Sequence, residues 1–301
     1  MGNCVAGTNT NTKSHKANNK PNNKPNKYNK NFHVLNIRRM IKNTNIVDVN
    51  YEDMIVKDII ASGRFSNIYN GIYNKQSVII KMCNKARPKE FLKEIRMFSL
   101  LESHPYISKC HAIMSESFRI IMTKYKGDCF QEYIYHKNKF DYNNYKRFIH
   151  QMSNALSAMH DLSICHADIK PENILVDSDN NYYLTDFGLS SYPVEPNKGI
   201  RRLKGTPEYL PPEQVTQTEY GYLSDMWSFG MVCYELCCGY MCYYVRDVKR
   251  FKRMIEKKQI KIHFNDNCKL TEDQKDLISE MLQIDPESRI TSSEIVLKII
   301  N

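Results

Sequence analysis

A chain of 301 residues, 42% of them hydrophobic, can bury a core for one large domain or two small ones. It shows no apolar run long enough to span a bilayer and no apolar stretch after Met1 of the kind a secretion signal needs, which points away from a membrane-spanning or exported protein. The net charge of +10 is unevenly placed: residues 1–47 are basic and contain no acid, all 33 Asp and Glu come later, and so attraction to an anionic surface belongs to an N-terminal arm.

Residues 1–51 read as a disordered basic arm. Asn, Lys, Thr and Pro dominate it, with too few apolar side chains to offset the entropy of ordering. A weak apolar patch, Phe32, Val34, Leu35, Ile37, Met40 and Ile41, is suited to docking on the body or lying on a membrane. The opening Met1-Gly2-Asn3-Cys4 fits N-myristoylation of Gly2 and S-palmitoylation of Cys4, although Ala6 stands where the motif takes Ser or Thr. One myristoyl chain anchors only marginally, and Cys4 and the basic arm supply second signals. The expected location is cytoplasmic, on the cytoplasmic face of membranes. No specific nucleic acid is expected, because the arm lacks interleaved aromatics and its first Arg is Arg38.

Ten Cys in such a chain point to a reducing compartment and free thiols. Cys233, Cys237, Cys238 and Cys242 fall on a predicted helix and read as core thiols rather than a zinc site.

Met54 to Ile60 predicts a strand that leads into Ala61-Ser62-Gly63-Arg64-Phe65-Ser66-Asn67-Ile68, a turn with small residues at 61, 63 and 66. Val78-Ile79-Ile80-Lys81 is a β-run closed by a Lys. Phe91, Leu92, Ile95, Phe98 and Leu101 recur at helical spacing between Pro88 and Glu102, with Glu90 and Glu94 on the same segment. Phe118 to Met122 predicts another strand, followed by Thr123-Lys124-Tyr125 and Gly127. Tyr142, Tyr145, Phe148, Ile149, Met152, Leu156 and Met159 then mark one face of a long helix.

That helix feeds Ile164-Cys165-His166-Ala167-Asp168-Ile169-Lys170-Pro171-Glu172-Asn173, the chemical centre of the chain. Asp168 can accept a proton from a hydroxyl. Lys170 can sit beside a transferring phosphoryl group. Asn173, with Asp186 of Thr185-Asp186-Phe187-Gly188, offers hard oxygen ligands suited to Mg²⁺. Ile174-Leu175-Val176 and Tyr182-Tyr183-Leu184 flank Asp179-Asn180-Asn181 and predict a hairpin, which fixes Asn173 and Asp186 on the ends of one rigid unit. Further on come Gly205-Thr206-Pro207-Glu208-Tyr209-Leu210-Pro211-Pro212-Glu213, Asp225-Met226-Trp227-Ser228-Phe229-Gly230 and Asp285-Pro286-Glu287-Ser288-Arg289.

In this order the motifs resemble those of the eukaryotic-type serine/threonine protein kinase family, over about residues 52–301. The resemblance extends to divergent members from AT-rich genomes, including those of poxviruses. It implies an α+β, two-lobed fold: a small β-rich lobe with one helix over 52–125 and a larger, mainly helical lobe over 126–301. It implies ATP and Mg²⁺ as cofactors and a protein substrate. By the same resemblance, residues 61–68 cover the phosphates, Ile79, Met122 and Leu175 line the adenine pocket, and the main chain of Thr123 to Tyr125 binds adenine. Lys81 positions the phosphates and pairs with Glu94, with Glu90 as the alternative. Asp168, Lys170 and Asn173 are catalytic, and Asn173 and Asp186 bind the metal. Asp225 holds the catalytic loop, and Arg289 pairs with Glu213. Acids at Asp128, Glu172 and Glu235 imply a preference for basic residues before the target hydroxyl. Four departures stand out: Gly63 is the only Gly of its loop, Ile79 replaces a small Ala, Ala167 replaces an Arg, and Pro211 replaces an Ala. The first three also fit a pseudokinase scaffold, which binds nucleotide or partners without catalysis.

Overall fold

The computed structural model describes residues 27–63, 66–191, 205–216, 221–242, 248–265, 268 and 270–300. Helix α1 (Lys27–Ile41) comes first and leads into strand β1 (Val47–Asp48). The β-branched runs that follow form β2 (Met54–Ser62), β3 (Ser66–Tyr73) and β4 (Gln76–Cys83); then come helix α2 (Pro88–Leu101), β5 (Cys110–Met114) and β6 (Arg119–Thr123). The six strands make one sheet in the order β1-β5-β6-β4-β3-β2. Asn74 and Lys75, both at positive φ (49° and 64°), close the β3–β4 hairpin as a two-residue turn requires.

The larger lobe begins with β7 (Gly127–Asp128) and α3 (Tyr142–Asp161), the latter capped by Asp141, whose side chain accepts from the Asn144 N–H at 3.0 Å. Strands β8 (Ile174–Val176) and β9 (Tyr182–Leu184) form the predicted hairpin and join β7 in a second sheet. Among the described residues, helices α4 (Pro212–Val215), α5 (Tyr222–Cys238), α6 (Val248–Glu256), α7 (Glu272–Met281) and α8 (Ser292–Ile300) follow. The fold is α+β, with a β-rich N-lobe and a helical C-lobe. Helix α5 is apolar nearly all round and buried from Ser224 to Leu236, so it forms the middle of the larger lobe.

Three expectations change. The arm is not without structure as far as residue 51: α1 and β1 are formed, and Ile37 and Ile41 are buried against α2 and its neighbours, because an i, i+4 apolar pair has found a tertiary partner. Tyr142 is 55% exposed, so the apolar face of α3 starts at Tyr145. The thiols are not all free, since Cys238 at the end of α5 pairs with Cys268 in a disulfide, while Cys233, Cys237 and Cys242 are not disulfide-bonded.

Candidate active site

The alternation along β4 aims its residues in two directions. Val78 and Ile80 face an apolar cluster with Met54, Ala112 and Ile121; Ile79 and Lys81 face the cleft between the lobes. Lys81 Nζ donates to Glu94 Oε1 at 2.6 Å and to Asp186 Oδ1 at 2.9 Å. The pair involves Glu94, not Glu90, which instead meets Arg87 at 3.6 Å. Lys81 and Glu94 are both buried. Burial opposes the charge on Lys81, but the carboxylates of Asp186 and Glu94 outweigh it and hold the ammonium above the ordinary lysine range. Glu94 moves up, because its burial outweighs the attraction of Lys81. Asp186 goes the other way: the Lys81 charge holds it down at about 2.

The loop 164–173 is fastened by α5. Asp225, fully buried, accepts from the backbone N–H of His166 at 2.7 Å and of Ala167 at 2.9 Å, and His160 Nε2 lies 3.2 Å away. Ala167 takes a positive φ of 68° there. His166 Nε2 reaches the Thr185 carbonyl oxygen at 3.0 Å, which ties the loop to the segment that carries Asp186. Asp168 Oδ1 accepts from both the backbone N–H and the hydroxyl of Thr206, at 3.1 Å each; its Oδ2 accepts from Asn173 Nδ2 at 3.1 Å and lies 3.5 Å from Lys170 Nζ. Lys170 also donates to the Thr206 hydroxyl at 3.0 Å. Gly205 has φ of 97°, and a Cβ there would stand 3.0 Å from the Ala167 carbonyl oxygen, so this close pass of the chain requires Gly.

The donor set suits a hard cation. Asn173 Nδ2 is turned to Asp168, bonding its carbonyl oxygen at 2.8 Å as well as its carboxylate, and this leaves the amide oxygen on the other side. Asp186 Oδ1 takes Lys81 and the Gly188 N–H, so its second oxygen adds a carboxylate donor. Phe187 is fully buried, edge-on to Phe98 and His166, and holds this segment in place.

A cleft of about 460 Å³ opens between the lobes. Ala61, Ser62, Gly63, Ser66, Ile68, Ile79, Met122, Thr123, Tyr125 and Leu175 line it, together with Lys81, Glu94, Asn173 and Asp186. Asn67 pairs with Ser62 across the hairpin mouth, its side chain accepting from the Ser62 hydroxyl at 3.0 Å. Arg64 and Phe65 lie outside the described residues. None of Ala61, Gly63 and Ser66 takes a positive φ, so Ala61 and Ser66 incur no backbone strain by replacing Gly.

Around this centre, Arg289 holds Glu213 in a buried two-pronged pair at 2.7 and 2.6 Å. Glu235 is buried and accepts from the Tyr209 hydroxyl at 2.6 Å; burial raises it above the usual carboxylate range, and the charge of Glu172 pushes the same way. Glu172 and Asp128 remain on the cleft. The sequence reading missed two residues that touch the loop. Thr206 was visible only as part of a Gly-Thr motif, and His160 had no signal beyond its place at the end of α3. Gly2 and Cys4 lie outside the described residues.

Residues 54–298 match the family model of the protein kinase domain. Among curated proteins, the chain is 30% identical over 258 residues to an Aurora kinase of Debaryomyces hansenii, covering 81% of this chain and 61% of that one. It is 32% identical over 254 residues to the serine/threonine-protein kinase DCLK3 of Mus musculus, covering 79% and 31%. It is 28% identical over 245 residues to the CBL-interacting protein kinase 11 of Oryza sativa subsp. japonica, covering 77% and 48%. The chain thus spans less than two thirds of the length of each of these relatives.

Proposed function

The chain belongs to the protein kinase domain family, and from that premise we propose that it transfers the γ-phosphoryl group of ATP to serine or threonine hydroxyls of a protein substrate. One observation carries the reading: Lys81, Glu94 and Asp186 form one cluster at the cleft, beside an Asp168 carboxylate held by Asn173, Lys170 and Thr206. Ile79, Met122 and Leu175, with the main chain of Thr123 to Tyr125, would receive adenine, and the loop that holds Gly63 would cover the phosphates. Lys81, kept charged by two carboxylates, would meet the phosphates. Asn173 and Asp186 would hold Mg²⁺, which would neutralise charge on the phosphates. Asp168 takes the proton of the substrate hydroxyl as its oxygen bonds to the γ-phosphorus. The bond to the β,γ-bridging oxygen breaks and ADP leaves. Lys170 offers positive charge on the substrate side.

Transfer of radiolabelled phosphate from ATP to a mixed protein substrate tests this, with Asp186→Ala as the blank. Wild-type protein that binds nucleotide but transfers no more than the blank is the scaffold of the competing reading. Glu172 and Asp128 support a preference for basic residues near the acceptor, and a peptide array without such enrichment refutes it. Acylation of Gly2 and Cys4, and the membrane residence it brings, rests on sequence alone. An unmodified N-terminus on protein made in eukaryotic cells would remove it.

A further inference from the structure

Helix α2 carries Glu94 but is poorly equipped to stand alone. It has 14 residues, and Arg87 at its N-cap makes no side-chain cap bond. Its place depends on what it packs against. Phe91 meets Phe118 at the sheet, with ring centroids 5.0 Å apart, and Phe98 meets Phe187 at 5.3 Å. A third neighbour is α1. Ile37 and Ile41 of α1, with Ile46 beyond it, are buried in the same apolar cluster as Phe91, Ile95, Met97, Phe98 and Leu101.

Beyond α1 the segment is tied at two points. The Asn45 N–H donates to Glu102 Oε1 at 2.6 Å, at the C-terminus of α2. Strand β1 then pairs in parallel with β5, and Asp48 accepts from the Ser115 N–H and hydroxyl at 3.0 and 2.7 Å. One continuous stretch therefore joins α2 to the sheet edge. A shift of α2 away from the sheet would leave Lys81 with Asp186 alone and strand a buried carboxylate.

We propose that residues 37–48 are a strap that holds α2 so that Glu94 stays on Lys81, with Ile37 as a positioning residue for phosphoryl transfer. The inference rests on the kinase reading for its effect on transfer, though not for its effect on α2.

The test uses full-length protein and two readouts: amide hydrogen exchange and steady-state transfer. Ile37→Glu should speed exchange of the α2 amides by about tenfold or more while α5 amides stay protected. It should lower kcat by about tenfold and raise KM for ATP. Ile37→Leu should restore both. Unchanged α2 exchange in Ile37→Glu overturns the strap, whatever the transfer assay gives. If wild-type protein transfers nothing, the kinase reading fails, and the exchange arm still decides the strap. If Ile37→Glu also exposes α5, Glu102→Ala decides instead. It removes the Asn45 tie without touching the core, and it must speed α2 exchange selectively or the inference falls.

Discussion

Helices α2 and α5 each send one carboxylate to the active site, and the two carboxylates are held in opposite ways. Asp225 on α5 is met by two backbone N–H groups and a His from α3, and although burial works against its charge, these bonds keep it below the usual carboxylate range. Glu94 on α2 has burial against it and the Lys81 side chain for it, and it moves above that range. Helix α5 is enclosed over three turns; α2 lies between a sheet, an aspartate-bearing segment and α1. A carboxylate fixed to backbone defines a frame. One paired to a side chain across a cleft holds only while its helix stays in place.

The comparison is tested most severely at Asp225. Asp225→Ala leaves three donors without their acceptor inside the core and should destabilise the protein by about 3–5 kcal/mol, as measured by urea unfolding. A loss under about 1 kcal/mol would show that α5 does not frame the loop. Asp168→Asn, a few residues away, should do the reverse. It should lower kcat by about 10²–10⁴ with a smaller loss of stability than Asp225→Ala, because an Asn oxygen keeps the bonds of one of the two Asp168 oxygens. Glu94→Gln should fall between the two, with a drop of about tenfold in kcat and a raised KM for ATP.

What the sequence made legible follows the same division. Lys81, Asp168, Asn173, Asp186, Asp225, Glu213 and Arg289 carry chemistry at fixed offsets, and these offsets can be read without knowing the packing. The helix at 27–41 was half legible: its apolar residues read as a patch suited to docking on the body, but not as a helix. Its composition is polar and Asn-rich, and Ile37 and Ile41 are stabilised by α2 and not by the segment's own propensity. The Tyr209 partner of Glu235 was illegible for a related reason: a Glu on a helix reads as solvated or functional, and only the fold brings the Tyr209 hydroxyl to it. The Cys238–Cys268 bond joins residues 30 apart, and that pairing has no local signal.

A fourth test uses pH. Asp186 sits at about 2 in the fold because of Lys81, against 3.8 for an unperturbed Asp. Its stabilisation is complete above the unfolded value and is lost as pH falls through the folded one, so the window runs from about pH 4 to pH 2. With its side chain half exposed, solvent screening reduces the effect to on the order of 1 kcal/mol. The unfolding free energy of Asp186→Asn should be flatter than that of wild type across this window. Equal slopes would mean that Lys81 draws its charge balance from Glu94 alone.

The smallest expected effect is the sharpest test of whether α2 depends on its own packing. Where an Arg precedes the catalytic Asp, it can grip a phosphate on the following segment and so help to order the site. Here the position is Ala167, buried, with its N–H on Asp225 and no side chain that can bind an anion. The Ser190 hydroxyl is also engaged. Ser190 is fully buried with its hydroxyl donating to the His166 carbonyl oxygen at 3.3 Å, while the Ser191 backbone exchanges bonds with Cys165 at 2.9 and 3.1 Å. Phosphorylating Ser190 would require it to leave this loop. Tyr192, Arg201, Arg202 and Lys204 lie outside the described residues. Exhaustive phosphatase treatment should therefore leave kcat within about twofold, and so should Ser190→Ala and Ser191→Ala. A large loss in the phosphatase experiment, checked by mass spectrometry for the site removed, would show that a phosphate, and not the packing around α2 and α5, holds the site in place.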